Sequence, residues 1–385
     1  MLLGRNRLFT LYASLATIWV ILFQLCRLFT YTDPSSFFYD SRRAYETRYT
    51  DLREKEVDRL IDTASHNSAD EHLAPAFIPN EVDIRTQDKS LCIGIPSVKR
   101  ENQYFLPRAL ASLVADLDAE ARRVLHVVVL LADDDAASHP AFGQLWLERL
   151  SDEILFYSNV SLPAIQNIYR KVSSASSKQG GKLMRNDRVH RDYATLMSSC
   201  RGTGADYFIL IEDDVIAARG WLSRLMKALE YLERTDHLAK WLYLRLFYSE
   251  TYLGWNSEEW PIYLSRAVGI YTVVLAAYII VVTVNLRRQS PRVHVKSHTQ
   301  NVLHLTLWTA SFIALYFLAG RLTVDPYKEG VREMPNYGCC AQGLVIPHQH
   351  LSALEDSLHT ASVDIAGDSL IEQFAGSHGL KKYAI

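Results

Sequence analysis

The chain has 385 residues, of which 41 are Lys or Arg and 43 are Asp or Glu, giving a formal net charge of −2. That balance leaves no global positive field for a nucleic-acid partner. The five cysteines show no zinc-ligand spacing, which excludes a zinc-finger or zinc-ribbon framework.

Residues 1–7 contain Arg5 and Arg7 and precede an apolar run, Leu8 to Phe29, that has no acidic residue. At 1.5 Å per residue such a run crosses a hydrocarbon core of about 30 Å, so 8–29 is predicted to be a membrane anchor with 1–7 in the cytosol. A cleaved signal peptide is the competing reading, but the run is longer than a typical signal core and no small-residue cleavage site follows. Residues 30–89 are polar and charged, with a helical stretch around Arg42 to Ala64, and read as a stem.

From Leu91 short β-rich runs alternate with longer amphipathic ones, the pattern of β-α units on a mainly parallel sheet. Strands are expected at Leu91–Ile95, Val124–Ala132, Ile154–Tyr157, Tyr207–Ile211 and Trp241–Phe247. Helices are expected around Tyr104–Leu117, Pro140–Leu150, Ala164–Val172, Asp187–Cys200 and Gly220–Arg234. The fold class is therefore α/β, over a first part at 90–264.

Two more apolar runs, Ala267 to Leu286 and Val302 to Gly320, make a predicted transmembrane hairpin over 265–320. Its connector, 287–300, carries Arg287, Arg288, His294, Arg292, Lys296 and His298 and no acid, a cytosolic signature that agrees independently with the charge of the N-terminus. Residues 30–264 and 321–385 then share the lumen, where Asn159-Val160-Ser161 is a glycosylation acceptor. Residues 321–385 hold one good strand, Ala341–Ile346, too little to fold alone, so they are expected to complete the α/β domain with the hairpin as an insertion. In an oxidising lumen Cys92, Cys200, Cys339 and Cys340 have the capacity for two disulfides, with free buried thiols as the plain alternative.

Two strands run directly into acidic triplets, Asp133–Asp135 and Glu212–Asp214. Ligands of such sheets sit at the carboxyl ends of strands. Three adjacent carboxylates repel unless a cation neutralises them, and hard oxygen ligands suit Mg or Mn. A divalent ion there stabilises charge developing on a departing diphosphate, and a solvated loop is the bland alternative.

The run Cys92-Ile93-Gly94-Ile95-Pro96-Ser97-Val98-Lys99-Arg100, with Tyr104-Phe105-Leu106 after it, resembles the first β-α unit of GT-A glycosyltransferases that branch N-glycans, and Glu212-Asp213-Asp214 resembles their metal motif. With the anchor and the inserted hairpin, the chain resembles the family of Golgi transferases that add N-acetylgalactosamine to the GPI-anchor glycan. The resemblance implies a Rossmann-type, GT-A-like domain split by the hairpin in a multi-pass Golgi membrane protein whose catalytic domain is lumenal. It implies inverting, Mn-dependent transfer from a UDP-sugar to a mannose of a GPI-anchored glycolipid or protein acceptor, close to membrane lipid. By position it assigns Asp214 and His378 to the metal, Pro96, Glu212, Asp213, Gly338 and Gly343 to the donor, and Asp368 to catalysis. Asp364 competes with Asp368 as base, and His348 and His350 compete with His378. A non-catalytic lumenal recognition protein or cargo receptor is the alternative function.

Overall fold

The structure, a computed structural model, describes residues 2–66, 90–157, 168–172, 185–236, 240–247, 253–288, 295–335 and 340–385. Gly338, Cys339, the Asn159 sequon and the side chains of the basic connector lie outside the described residues. The chain divides into two compact units, one from Met1–Glu46 and Tyr248–Lys328, the other from Thr47–Phe247 and Glu329–Ile385.

The second unit is an α/β layer structure. Its strands are β1 (Leu91–Ser97), β2 (Leu125–Leu131), β3 (Glu153–Tyr157), β4 (Tyr169–Val172), β5 (Tyr207–Ile211), β6 (Trp241–Arg245), β7 (Arg332–Glu333), β8 (Gly343–Pro347) and β9 (Lys381–Ala384). They form one nine-stranded sheet in the order β4-β3-β2-β1-β5-β8-β6-β9-β7. The first five strands of that order are parallel; β8 runs antiparallel to both β5 and β6, and β9 is parallel to β6. The strand supplied by the C-terminal segment, β8, thus lies inside the sheet between β5 and β6, so residues on both sides of 248–328 build one hydrogen-bonded layer.

The continuous apolar runs of β1, β2 and β5 are buried along their length, as strands covered on both faces must be. The helices around the sheet are α1 (Arg48–Ser65), α2 (Leu106–Val114), α3 (Leu145–Leu150), α4 (Arg185–Thr203), α5 (Trp221–Thr235), α6 (Leu351–Thr360) and α7 (Gly367–Ser377). Gly94 lets α4 approach β1 closely: a Cβ there would stand 2.8 Å from the Phe208 ring and 3.1 Å from Leu196 Cβ. A disulfide between Cys92 and Cys200 ties the same strand to the same helix across 108 residues, and Cys340 is also disulfide-bonded, whereas Cys26 is free.

Two of the expected elements take a different form or place in the structure. Residues 169–172 form edge strand β4 and not the end of a helix, because the spacing of Ile168, Tyr169 and Val172 suits either state and pairing with β3 decides it. The helical stretch assigned to the stem belongs to the α/β unit: α1 buries Arg53, Val57 and Ala64. It is fastened to α2 by Arg108, whose guanidinium pairs with Glu54 at 2.7 Å and Asp58 at 2.8 Å.

Among the described residues the other unit contains three helices long and apolar enough to cross a membrane, Phe9–Phe29, Ser257–Val284 and Thr299–Ala319. Their large side chains, Phe9, Ile21, Val273 and Ile280 among them, are exposed, as lipid-facing residues are. Polar contacts join them: Trp19 Nε1 donates to Ser311 O at 3.2 Å, Tyr271 and Thr306 hydroxyls lie 3.0 Å apart, and Tyr12 stacks on His304.

Candidate active site

The order of the parallel strands reverses between β1 and β5: the chain winds outward through β2, β3 and β4, then returns to lay β5 on the other side of β1. A crevice opens at such a point beyond the carboxyl ends of the strands. Ser97 ends β1 and Glu212 follows β5, so the segments Ser97–Arg100 and Glu212–Asp214 face each other across it.

Asp213 is the buried member of the triplet, 5 % exposed. Ser97 Oγ donates to its Oδ2 at 2.7 Å, and Arg100 Nη2 reaches its Oδ1 at 2.5 Å. The other terminal nitrogen of Arg100 lies 3.6 Å from Asp214 Oδ2. Sequence reasoning gave Arg100 no role, yet this guanidinium is a positive charge that the protein itself sets against Asp213 and Asp214. Its position three residues past a strand end was the available signal. Burial raises the Asp213 carboxyl above the ordinary carboxylate value, offset by Ser97 and Arg100.

His139 stands behind Ser97 and left no trace in the sequence pattern. It is 3 % exposed, and Ala141 N–H donates to its Nδ1 at 3.1 Å, which leaves the ring proton on Nε2. Nε2 lies 3.3 Å from Ser97 Oγ, so a chain of donors runs from Ala141 through His139 and Ser97 to Asp213. Burial pushes the His139 imidazole down to about 4, and the ring therefore works in this chain as a neutral donor.

Glu212 turns to the other side. Tyr193 Oη of α4 donates to its Oε1 at 3.2 Å. Burial raises the Glu212 carboxyl, and the charges of Asp214, Asp213 and Asp368 push it further in the same direction. Asp368 follows Gly367 at the start of α7, and its charge also raises the Tyr193 hydroxyl, after burial and the Glu212 charge. Gly367 is what permits the approach: a Cβ there would meet Val189 Cγ1 at 2.8 Å and the Tyr193 ring at 3.2 Å. Asp364 instead lies exposed in a turn, accepting from Ser362 Oγ at 3.2 Å.

Of the remaining expected residues, Pro96 precedes Ser97 at the end of β1, and Gly343 pairs with Ile211 at the same edge. His378 is placed elsewhere. It caps the far end of α7, stacks on Phe374 at 4.1 Å, and precedes Lys381, which pairs with Trp241 at the start of β6. Because β6 runs parallel to β5, that is the edge of the sheet opposite Asp214, and the structure does not bring His378 to the carboxylates. The same holds for His348 and His350, which follow the end of antiparallel β8, His348 Nδ1 lying 2.8 Å from Ala205 O. Among the described residues no group of three His, Cys, Asp or Glu stands ready to hold a metal ion.

The loop leaving the triplet is held from α1. Arg53, 1 % exposed, donates Nε to Ala217 O at 3.1 Å and Nη2 to Ser112 O at 3.0 Å, and pairs with Asp116 at 2.7 Å. Ser112 Oγ accepts from Ala217 N at 2.8 Å, and Tyr49 Oη accepts from Arg219 N at 3.1 Å. These bonds hold the backbone of the loop against α1 and α2.

With this geometry in hand, similarity to known proteins is informative. Residues 91–385 match the profile of the family described as GPI-N-acetylgalactosamine transferase PGAP4. Curated relatives include the alpha-1,3-mannosyl-glycoprotein 4-beta-N-acetylglucosaminyltransferase C of Mus musculus, 26% identical over 38% of this chain and 31% of the relative. The alpha-1,6-mannosyl-glycoprotein 4-beta-N-acetylglucosaminyltransferase of Gallus gallus is 28% identical over 45% and 36%. The alpha-1,3-mannosyl-glycoprotein 4-beta-N-acetylglucosaminyltransferase B of Homo sapiens is 25% identical over 35% and 25%. The matched region spans about a third of the length of these relatives or less. The family match runs through both segments of the α/β unit, and the chain belongs to the GPI-N-acetylgalactosamine transferase PGAP4 family.

Proposed function

We propose that the α/β unit is a GT-A-type domain that transfers N-acetylgalactosamine from a UDP-sugar to a mannose of a GPI glycan, with inversion. The observation that carries this reading is the carboxylate triplet at the β1/β5 crevice with the Asp368 charge beside it. Asp368 takes the proton from the acceptor hydroxyl as that oxygen attacks C1 of the sugar. The bond from C1 to the diphosphate oxygen breaks on the opposite face, the electron pair leaves with UDP, and the configuration at C1 inverts. Arg100 and the segment around Pro96 and Gly343 hold the donor end of the crevice.

The donor set fits a hard divalent cation such as Mn. Both oxygens of Asp213 are engaged by Ser97 and Arg100, but among the described residues none takes Asp214 Oδ1 or the second oxygen of Glu212. Those two carboxylates would hold the ion, and a cation would relieve the like-charge repulsion that adds to burial in raising Glu212. When bound, it supplies Lewis-acid stabilisation of the departing diphosphate.

A multi-pass Golgi location with a lumenal α/β unit is supported by the three apolar helices and by Arg5, Arg7 and the basic 287–300 connector. The Cys92–Cys200 disulfide points to the same oxidising side. The test is transfer from UDP-N-acetylgalactosamine to a GPI glycan by the full-length protein in detergent, with and without Mn. Transfer that requires Mn and yields the inverted linkage supports the reading. A folded protein that neither transfers nor hydrolyses the donor under either condition would sink it in favour of the recognition-protein reading.

A further inference from the structure

Beside the triplet lies a cavity of about 1220 Å3 whose lining shares Gly343 with the donor end of the crevice. Ile211 and Gly343, at the carboxylate edge, line it, and the segment Val215–Ala218 leaving the triplet forms one wall. It is larger than the cavities that enclose single small ligands. Its aromatic surfaces are Trp221, Tyr231 and Phe247. Trp221 is fixed by Nε1 donating to Leu113 O at 3.0 Å, while Tyr231 and Phe247 remain exposed. Apolar ring faces of this kind accept the C–H faces of sugars, and small residues such as Ala217, Ala218 and Gly330 leave the space between them open.

Arg224 and Lys227 are three residues apart on α5, so both extend from one helix face, and both are exposed in the cavity. Neither side chain has an acidic partner or a hydrogen bond among the described residues, whereas Arg53, Arg100, Arg108, Arg122 and Arg219 are all ion-paired. The other charged lining group, Glu329, sits on the segment preceding β7. Two unpaired cations over aromatic walls, next to a transferase crevice, fit an anionic glycan, and the guanidinium fork matches phosphate oxygens in particular.

We infer that this cavity is the acceptor subsite and that Arg224 and Lys227 bind a phosphodiester carried by the acceptor glycan. The inference rests on the transferase reading and adds to it how the acceptor is chosen. The glycan lies along Trp221, Tyr231 and Phe247 with its anionic group on α5, which directs the reactive hydroxyl toward the carboxylate edge. Arg224 and Lys227 are positioning residues and take no part in bond making.

The experiment compares two synthetic mannose-containing acceptors, one with a phosphodiester and one without, using full-length protein in a phosphate-free detergent so that no lipid headgroup competes. Wild-type protein should show a KM at least about tenfold lower for the phosphodiester acceptor. In the Arg224→Ala/Lys227→Ala double variant that preference should vanish, with the KM for the UDP-sugar unchanged and with salt no longer affecting acceptor KM. A preference that survives in the double variant, or a raised KM for the UDP-sugar instead, would overturn the inference while leaving the transferase reading intact. Equal use of both acceptors by the wild type would do the same. Donor hydrolysis without transfer to either acceptor would overturn both the acceptor reading and the inference.

Discussion

Two acidic triplets follow apolar strands at the same edge of the sheet, and they have opposite characters. Asp133–Asp135, after β2, is spent on the backbone of neighbouring loops and on one surface ion pair. Asp133 Oδ2 accepts from Lys99 N at 3.0 Å, Asp135 accepts from Ala137 N at 3.2 Å, and Asp134, 64 % exposed, pairs with Arg188 at 3.2 Å. Glu212–Asp214, after β5, is held from behind by the His139–Ser97 chain, by Arg100 and by Tyr193, and keeps free oxygens toward the crevice. Two acids of the first triplet organise backbone, while side chains from other elements organise the acids of the second. An acidic run at a strand end is thus only a place where chemistry can be built. Buried groups from other elements, aimed at the carboxylates, distinguish a working site.

Substitutions that separate the two triplets should fall in a clear order. Asp368→Asn removes the proton acceptor beside Glu212 and should lower kcat by roughly a thousandfold with UDP affinity unchanged, measured by initial transfer rates and calorimetry. Asp214→Ala should cost on the order of a hundredfold in transfer rate, with the fold retained because the side chain is 38 % exposed. Arg53→Met tests the support of the loop from α1. Removing this buried charge leaves Asp116 and two carbonyls without their partner, and should lower stability by about 2–3 kcal/mol in denaturant unfolding.

The His139 relay gives a pH signature. Its folded value, about 4, lies below the ordinary histidine value, so between about 4 and about 6.5 the unfolded chain binds the extra proton. The contribution is complete above the unfolded value and is lost as pH falls toward the folded one. Wild-type stability should therefore drop by on the order of 2 kcal/mol across that window, and His139→Gln should flatten the profile; an unchanged slope in the variant would remove the relay from the account. The smallest effect belongs to Asp134→Ala, where loss of a surface pair should change stability by less than about 0.5 kcal/mol and leave transfer intact.

Much of this arrangement was legible in the residues, and the failures have physical causes. Strands such as β2 and β5 were readable because burial on both faces demands uninterrupted apolar runs. Strand β9 was not, since Lys382 is buried there only because its Nζ reaches Glu372 at 2.6 Å, and a paired lysine looks like surface in a sequence. Helix α1 was readable as a helix but not as part of this unit, because the buried Arg53 that docks it resembles any stem arginine. The triplet stood out by residue type and its place at a strand end, and Asp368 was named only through the family resemblance, whereas His139, Tyr193 and Arg100 act through contacts across long stretches of chain. His378 was misplaced for the complementary reason: its neighbourhood depends on β9 running parallel to β6, which no local pattern encodes.

The most direct test of the account is calorimetric binding of UDP in the presence of Mn to wild-type protein, Asp214→Ala and Asp134→Ala. Binding by the wild type and by Asp134→Ala at equal affinity, with loss in Asp214→Ala, is the predicted result. Binding that survives Asp214→Ala and disappears in Asp134→Ala would place the nucleotide on the other triplet and contradict the assignment of the site.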